Sequence, residues 1–168
     1  ISLAKPIVVT MGSVAASGGY MAAVASDYII ARNGTLTGSI GVLMQSPEFT
    51  GLARKVGVKF NTYKSSVLKG SPSPFEKSNP RVDRVINASI QDSYKFFANL
   101  VSHRRQGKLI KNTRRVLDGR VFTGRQALKV GLIDEIGGKD QALRYLNEKH
   151  KIDIKKLSVK QVIVKKQE

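Results

Sequence analysis

Two short apolar runs, KPIVVTM (Lys5–Met11) and DYIIARN (Asp27–Asn33), flank a stretch made almost wholly of small residues, GSVAASGGYMAAVAS. That arrangement leaves the chain few choices. The first run predicts a buried strand, Gly12, Gly18 and Gly19 bracket a turn, and Tyr20–Ser26 predicts a tightly packed helix. The second run predicts another strand, followed by a turn and the segment TLTGSIGV (Thr35–Val42). Pro47–Val56 reads as a helix ended by Gly57, and Val58–Lys64 as a further strand. Strands alternating with helices in this way predict an α/β fold with mainly parallel pairing.

The serine-rich segment 65–79, SSVLKGSPSPFEKSN, holds Pro72 and Pro74 and predicts a long loop, a kind that usually carries function or disorder. Asn79 followed by Pro80 is an N-cap with proline at the first helical position. Val82, Val85, Ile86, Ile90, Phe97, Leu100 and Val101 then recur at helical spacing and predict a helix to about Arg105. Thr123 caps a second helix, GRQALKV, closed by Gly131. LIDEIGG predicts a strand and turn, and Lys139–His150 a terminal helix. No repeat or linker divides the 168 residues, which read as one domain over 1–150 and a basic tail over 151–168. In that tail, Lys alternates with Val and Ile from Ile152 onward, as in an edge strand or a disordered segment. The chain opens on Ile1, with no signal peptide and no apolar stretch near 18 residues. It reads as a piece of a longer protein, with any membrane anchor outside it.

Composition removes several kinds of chemistry. Cysteine is absent, which excludes disulfides, thiolate zinc sites and a cysteine nucleophile. Only two histidines are present, so a histidine-rich metal site is not expected. Hydrophobic residues make up 41%, enough for a core. The net charge of +17 is uneven, with 18 Lys/Arg against 7 Asp/Glu beyond residue 100 and 11 against 5 before it. A basic half of this kind suits a nucleic-acid or anionic-lipid surface. Scattered over several elements, it equally describes a generic basic exterior. With 7% aromatic residues and no Trp, a base-stacking surface is thin.

Ser17 stands out among the serines by its setting. It lies just after a strand, at the start of a helix, and before two glycines. A turn there presents the hydroxyl, and helix-terminal N–H groups can hold an oxyanion. The same AASGG sequence also suits a plain packing contact of small residues. A serine nucleophile needs a base. His103 lies near the end of a basic helix and His150 in a Lys-rich terminus, so both read as solvated surface residues. Position 15 is alanine, which removes the G-x-S-x-G elbow. Lysine remains as the base, and it must be neutral to work, which requires desolvation. Lys69, between Leu68 and Gly70 in the long loop, is permitted on these grounds and no more.

The segments MGSVAASGGYMAAVASDYIIARNGTLTGSIGV, YKSSVLKGSPSPF and DGRVFTGRQALKVGLIDEIGG closely resemble the bacterial signal peptide peptidase A (protease IV) family, from Lys5 to about Leu146. ASGGY and TLTGSIG at this spacing are highly specific, whereas DGRVFTGRQA echoes across a wider superfold. The resemblance implies a Clp-protease/crotonase-like α/β fold, a mainly parallel sheet with flanking helices, whose earliest strands precede residue 1. It implies a serine endopeptidase with a Ser–Lys dyad and neither metal nor cofactor. Ser17 would be the nucleophile, Lys69 the general base, Ser39 a hydrogen-bonding support for the lysine amine, and the Gly18 amide one oxyanion donor. The second donor would come from a glycine-rich turn upstream. Gly70 departs from the many members that carry an acid after the dyad lysine. Cleaved signal peptides are the implied substrates, a homo-oligomeric ring the implied assembly, and the extracytoplasmic (periplasmic) side of the bacterial membrane the implied location, with no nucleic-acid partner. The alternatives are a crotonase-like acyl-CoA enzyme, which has no use for Lys69, and a non-enzymatic basic module binding nucleic acid or anionic lipid.

Overall fold

The computed structural model describes residues 4–153. In chain order these form β1 (Val8–Met11), β2 (Val14–Ala16), α1 (Gly18–Ala23), β3 (Tyr28–Ala31), β4 (Leu36–Gly38), α2 (Thr50–Lys55) and α3 (Pro80–Arg104). A 3₁₀ turn at Thr113–Arg115 leads to β5 (Val121–Thr123), α4 (Gly124–Val130), β6 (Glu135–Ile136) and α5 (Lys139–His150). The predicted tail falls mostly on residues 154–168, outside those described.

The strands make two small sheets, in the orders β1-β3-β6 and β2-β4-β5. β3 lies between two parallel neighbours, with Val9 opposite Ile29 and Ala31 opposite Ile136. Burial on both faces explains its unbroken apolar sequence, since Ile29, Ile30 and Ala31 are all buried. β2 and β4 are also parallel, and only β4 and β5 run antiparallel among the described residues. The chain is therefore α/β with mainly parallel pairing and flanking helices, as its sequence predicts.

The core forms where the small helix α1 meets the end of α3. Tyr20 is fully buried there with Phe97, Val101, Ile29 and Leu132, and its hydroxyl donates to the Leu132 carbonyl at 2.7 Å. The glycines and alanines of GGYMAA leave room for α1 to approach its neighbours with the Tyr20 ring buried between them. Three carbonyls following α1, those of Val24, Ala25 and Ser26, accept hydrogen bonds from the Arg104 guanidinium, a side-chain cap for groups the helix cannot satisfy itself. Arg105 turns inward and pairs with Asp134 at 2.8 Å. Some of the basic excess of the second half is thus engaged in internal contacts.

The cap signals hold. Asn79 accepts from the Arg81 N–H at 2.9 Å, with Pro80 as the first helical residue. Thr123 and Gln126 form a capping box, and Gly131 closes α4 at φ 83°. The predicted helix over 47–56 is confined to Thr50–Lys55.

The predicted strand over Val58–Lys64 does not form. Residues 58–64 have no sheet partner among the described residues. Local packing takes the place of a sheet: Phe60 stacks on Phe75 at 4.2 Å, and the Phe49 ring lies tilted to Phe75 at 6.5 Å. The N–H of Val58 folds back onto the Ala53 carbonyl at 2.8 Å. With those contacts the segment wraps α2 rather than extending a sheet.

Candidate active site

β2 delivers Ser17 to the N-cap of α1 at φ 52° and ψ −120°. Ser39, directly after β4, also sits at φ 52°. Positive φ at a serine is costly, and such conformations cluster at functional sites. Both are held by backbone hydrogen bonds. The Ser17 N–H donates to the Gly38 carbonyl at 2.8 Å, and the Ser39 N–H donates to the Arg120 carbonyl at 2.8 Å. Because Ala16 pairs with Gly38 in the β2–β4 ladder, the two serines occupy equivalent positions at the ends of neighbouring strands. The structure thus brings Ser17 and Ser39 together.

Neighbouring glycines permit this approach. Gly38 is buried at φ 79° beneath Phe122, whose ring carbon would lie 2.7 Å from any added Cβ. Gly41 faces the backbone of Gly119, where an added Cβ would come within 3.2 Å of the Gly119 Cα. Arg120 owes part of its fixed place to Asp118, whose carboxylate accepts from Arg120 Nε at 2.8 Å and from a terminal guanidinium nitrogen at 2.6 Å. These bonds hold the Asp118 carboxyl below the usual carboxylate range. The sequence singles out the DGR motif but does not reveal that its arginine carbonyl anchors Ser39.

Ser17 is exposed and Ser39 half-buried, and neither hydroxyl makes a hydrogen bond among the described residues. Gly18, the first residue of α1, is also exposed, with nothing within 4 Å of an added Cβ. Its N–H opens the helix without an intrahelical acceptor. An exposed hydroxyl beside free helix-opening donors, with no Cβ in the way, is an arrangement that can attack a carbonyl and hold the resulting oxyanion. The strain at Ser17 has a stability consequence. Ser17→Gly is expected to raise the unfolding free energy by about 1 kcal/mol, because glycine adopts φ 52° without steric cost. Urea denaturation checks this, and an unchanged or lowered midpoint would refute it.

Lys69 lies on a different element, in the turns of the 65–79 loop. It is exposed, its N–H donates to the Ser66 carbonyl at 3.1 Å, and its amine makes no hydrogen bond to Ser17 or Ser39. Exposed apolar residues lie near these positions in the chain, Leu43 and Met44 after Ser39 and Val67 and Leu68 before Lys69. A cleft of about 370 Å³ runs between residues 44–48, the 67–79 loop and the first turns of α3, with Met44, Pro47, Val67, Val82 and Ile86 among its walls. His103 and His150 are both exposed. Among the described residues no cluster of His, Cys, Asp and Glu could hold a metal, and no helix is long and apolar enough to cross a membrane.

The family model described as Peptidase family S49 matches residues 2–153. The chain is 37% identical over 147 residues to an Enterococcus faecium protein provisionally named signal peptide peptidase SppA, covering 88% of this chain and 42% of that one. It is 34% identical over 143 residues to Protease 4 of Haemophilus influenzae, covering 84% and 23% respectively. It is also 34% identical over 156 residues to the chloroplastic serine protease SPPA of Arabidopsis thaliana, covering 90% and 22%. The chain spans half or less of the length of these curated relatives. Among solved structures it is similar to a membrane-bound stomatin-specific protease, with a TM-score of 0.47 and 15% identity over 84% of this chain and 56% of that one.

Proposed function

This chain belongs to peptidase family S49, and from that premise we propose that it carries the catalytic residues of a serine endopeptidase using Ser17 and Lys69. The observation that carries the reading is the pair of serines, each at φ 52° and each held by a backbone bond from the next strand or turn. Such strain persists only where the surrounding structure imposes it.

In the proposed reaction, neutral Lys69 takes the proton from Ser17 Oγ as that oxygen attacks a peptide carbonyl. The carbonyl oxygen becomes an oxyanion and accepts from the Gly18 N–H. Collapse breaks the C–N bond, Lys69 protonates the departing amine, and an acyl-Ser17 ester remains. Lys69 then accepts a proton from the water that attacks the ester, and returns it to Ser17 Oγ as the acyl C–O bond breaks, which releases the acid product and restores neutral Lys69 and Ser17. The Ser39 hydroxyl donates to or accepts from the lysine amine and fixes its direction. A neutral amine requires apolar cover, and Lys69 is exposed in the single chain. Leu43, Met44, Val67 and Leu68 offer a rim that a bound apolar peptide, or a second copy in a ring, would close over it.

Cleaved signal peptides, apolar and left at the membrane, are the substrates that fit this rim. The enzyme acts at the extracytoplasmic face of a bacterial membrane, held there by a part of the protein outside this chain. The substrate class is tested with the full-length protein and two synthetic peptides of equal length, one an apolar signal-peptide core and one with alternating Lys and Glu. The apolar peptide is expected to show a kcat/KM at least about tenfold higher, the discrimination that one or two buried methylenes can provide. Equal turnover of the two peptides would refute the substrate assignment.

A further inference from the structure

Lys69 hangs from a loop whose two feet are tied together. Lys64, just before the loop, donates from Nζ to Glu76 Oε2 at 2.5 Å and to Ser71 Oγ at 3.3 Å. The Ser71 hydroxyl donates in turn to the Val67 carbonyl at 3.0 Å. Both charged side chains keep contact with solvent, at 20% and 28% exposed. Inside this tie, the Lys69 N–H bonds to Ser66 and the Ser71 N–H to Leu68. Next to its second foot, the Phe49 N–H donates to the Pro74 carbonyl at 2.7 Å, and Phe75 stacks on Phe60. One side-chain network therefore spans both sides of Lys69 and joins the loop to the segment that follows α2.

We propose that the Lys64–Glu76 ion pair, with Ser71, is a positioning device that holds the Lys69 amine in register for proton transfer. This rests on the reading of Lys69 as the base. The Lys64 amine is engaged with two oxygens of the loop itself, Glu76 Oε2 and Ser71 Oγ, so it acts through Lys69 rather than in its place. Pro74 and Phe75 are held at the far foot by Phe49 and Phe60, but without the tie residues 65–73, which carry Lys69, keep only the hydrogen bonds of their own turns among the described residues. A displacement of about 1 Å at a reacting group can cost on the order of 100-fold in rate. An ion pair of this exposure contributes little to global stability. The two effects are therefore separable.

The test uses the full-length protein and a peptide substrate, with Lys64→Met, Glu76→Gln, the double variant and the charge-swapped Lys64→Glu/Glu76→Lys protein, alongside Lys69→Ala. Each single variant is expected to lose about 10- to 100-fold in kcat, with KM within about twofold and an unchanged urea midpoint. The double variant falls no further than either single one, because both remove the same interaction, and the swap recovers most of the rate. Lys64 and Glu76 variants with wild-type kcat beside an inactive Lys69→Ala would overturn the positioning role and leave the dyad standing. A loss of kcat matched by a loss of folded protein and not recovered by the swap would overturn it too. If Lys69→Ala keeps wild-type kcat, the dyad itself fails and the positioning role fails with it.

Discussion

Ser17→Ala and Lys69→Ala are each expected to lower kcat in the full-length protein by about 10⁴-fold or more, and the double variant to be no worse than either. The magnitude follows from how a nucleophile and its base act as one unit, so that losing either part forfeits nearly the whole contribution. Neither change should unfold the protein. The Ser17 hydroxyl and the Lys69 amine make no hydrogen bond among the described residues, and both side chains are exposed. The backbone bonds from Ser17 N–H to Gly38 and from Met21 N–H to the Ser17 carbonyl survive in alanine. Steady-state cleavage of a peptide substrate, with circular dichroism as a control for folding, measures this. Additive losses in the double variant would show that the two residues do not share a step.

The largest expected effect on stability lies elsewhere, at Asp134. Its carboxylate accepts from Arg105 at 2.8 Å, Lys108 at 2.7 Å and the Ile29 N–H at 2.8 Å. Arg105 is 3% exposed and also donates to the Gly131 carbonyl. Asp134→Ala leaves that guanidinium buried without its counter-charge, at an expected cost of about 3–5 kcal/mol. Replacing the pair together, as Arg105→Met with Asp134→Leu, should recover a large part of the loss, because no isolated charge is then buried. Burial alone would raise the Asp134 carboxyl, but the bonds and charges of Arg105 and Lys108 outweigh it and hold it below the usual carboxylate range. Its stabilisation is therefore complete above about pH 4, the ordinary aspartate value. It is lost as pH falls through the lower folded value. Urea unfolding at pH 7 and at successively lower pH checks both points. In Asp134→Ala this component of the acid dependence should vanish.

What the sequence makes legible follows from how local each determinant is. Asn79–Pro80, Thr123 with Gln126, and Gly131 act within a few residues, and the helices they bound appear where the sequence places them. β3 is legible because burial on both faces leaves an unbroken apolar run. β2 and β5 are three residues each, too short for a period of two to show. The run over 58–64 has a strand's alternation, yet its Phe60 side chain meets Phe75 rather than another strand. In the site, Ser17 is suggested by its turn and helix start. Its adjacency to Ser39 depends on the Ala16–Gly38 pairing across two strands, which no local pattern encodes. The same holds for Arg120 beneath Ser39, for Lys64 with Glu76, and for Arg105 with Asp134. Each joins positions that the sequence reads as separate.

The central claim is that Ser17 is a nucleophile activated by Lys69. The most direct measurement is to treat the assembled full-length protein with a serine-reactive fluorophosphonate and map the adduct by mass spectrometry, in the wild type and in Lys69→Ala. The account predicts a single phosphonylated residue, Ser17, in the wild type and no adduct in Lys69→Ala over the same time. An unmodified Ser17 in the folded, assembled wild type would contradict it, as would labelling of Ser17 at an equal rate without Lys69.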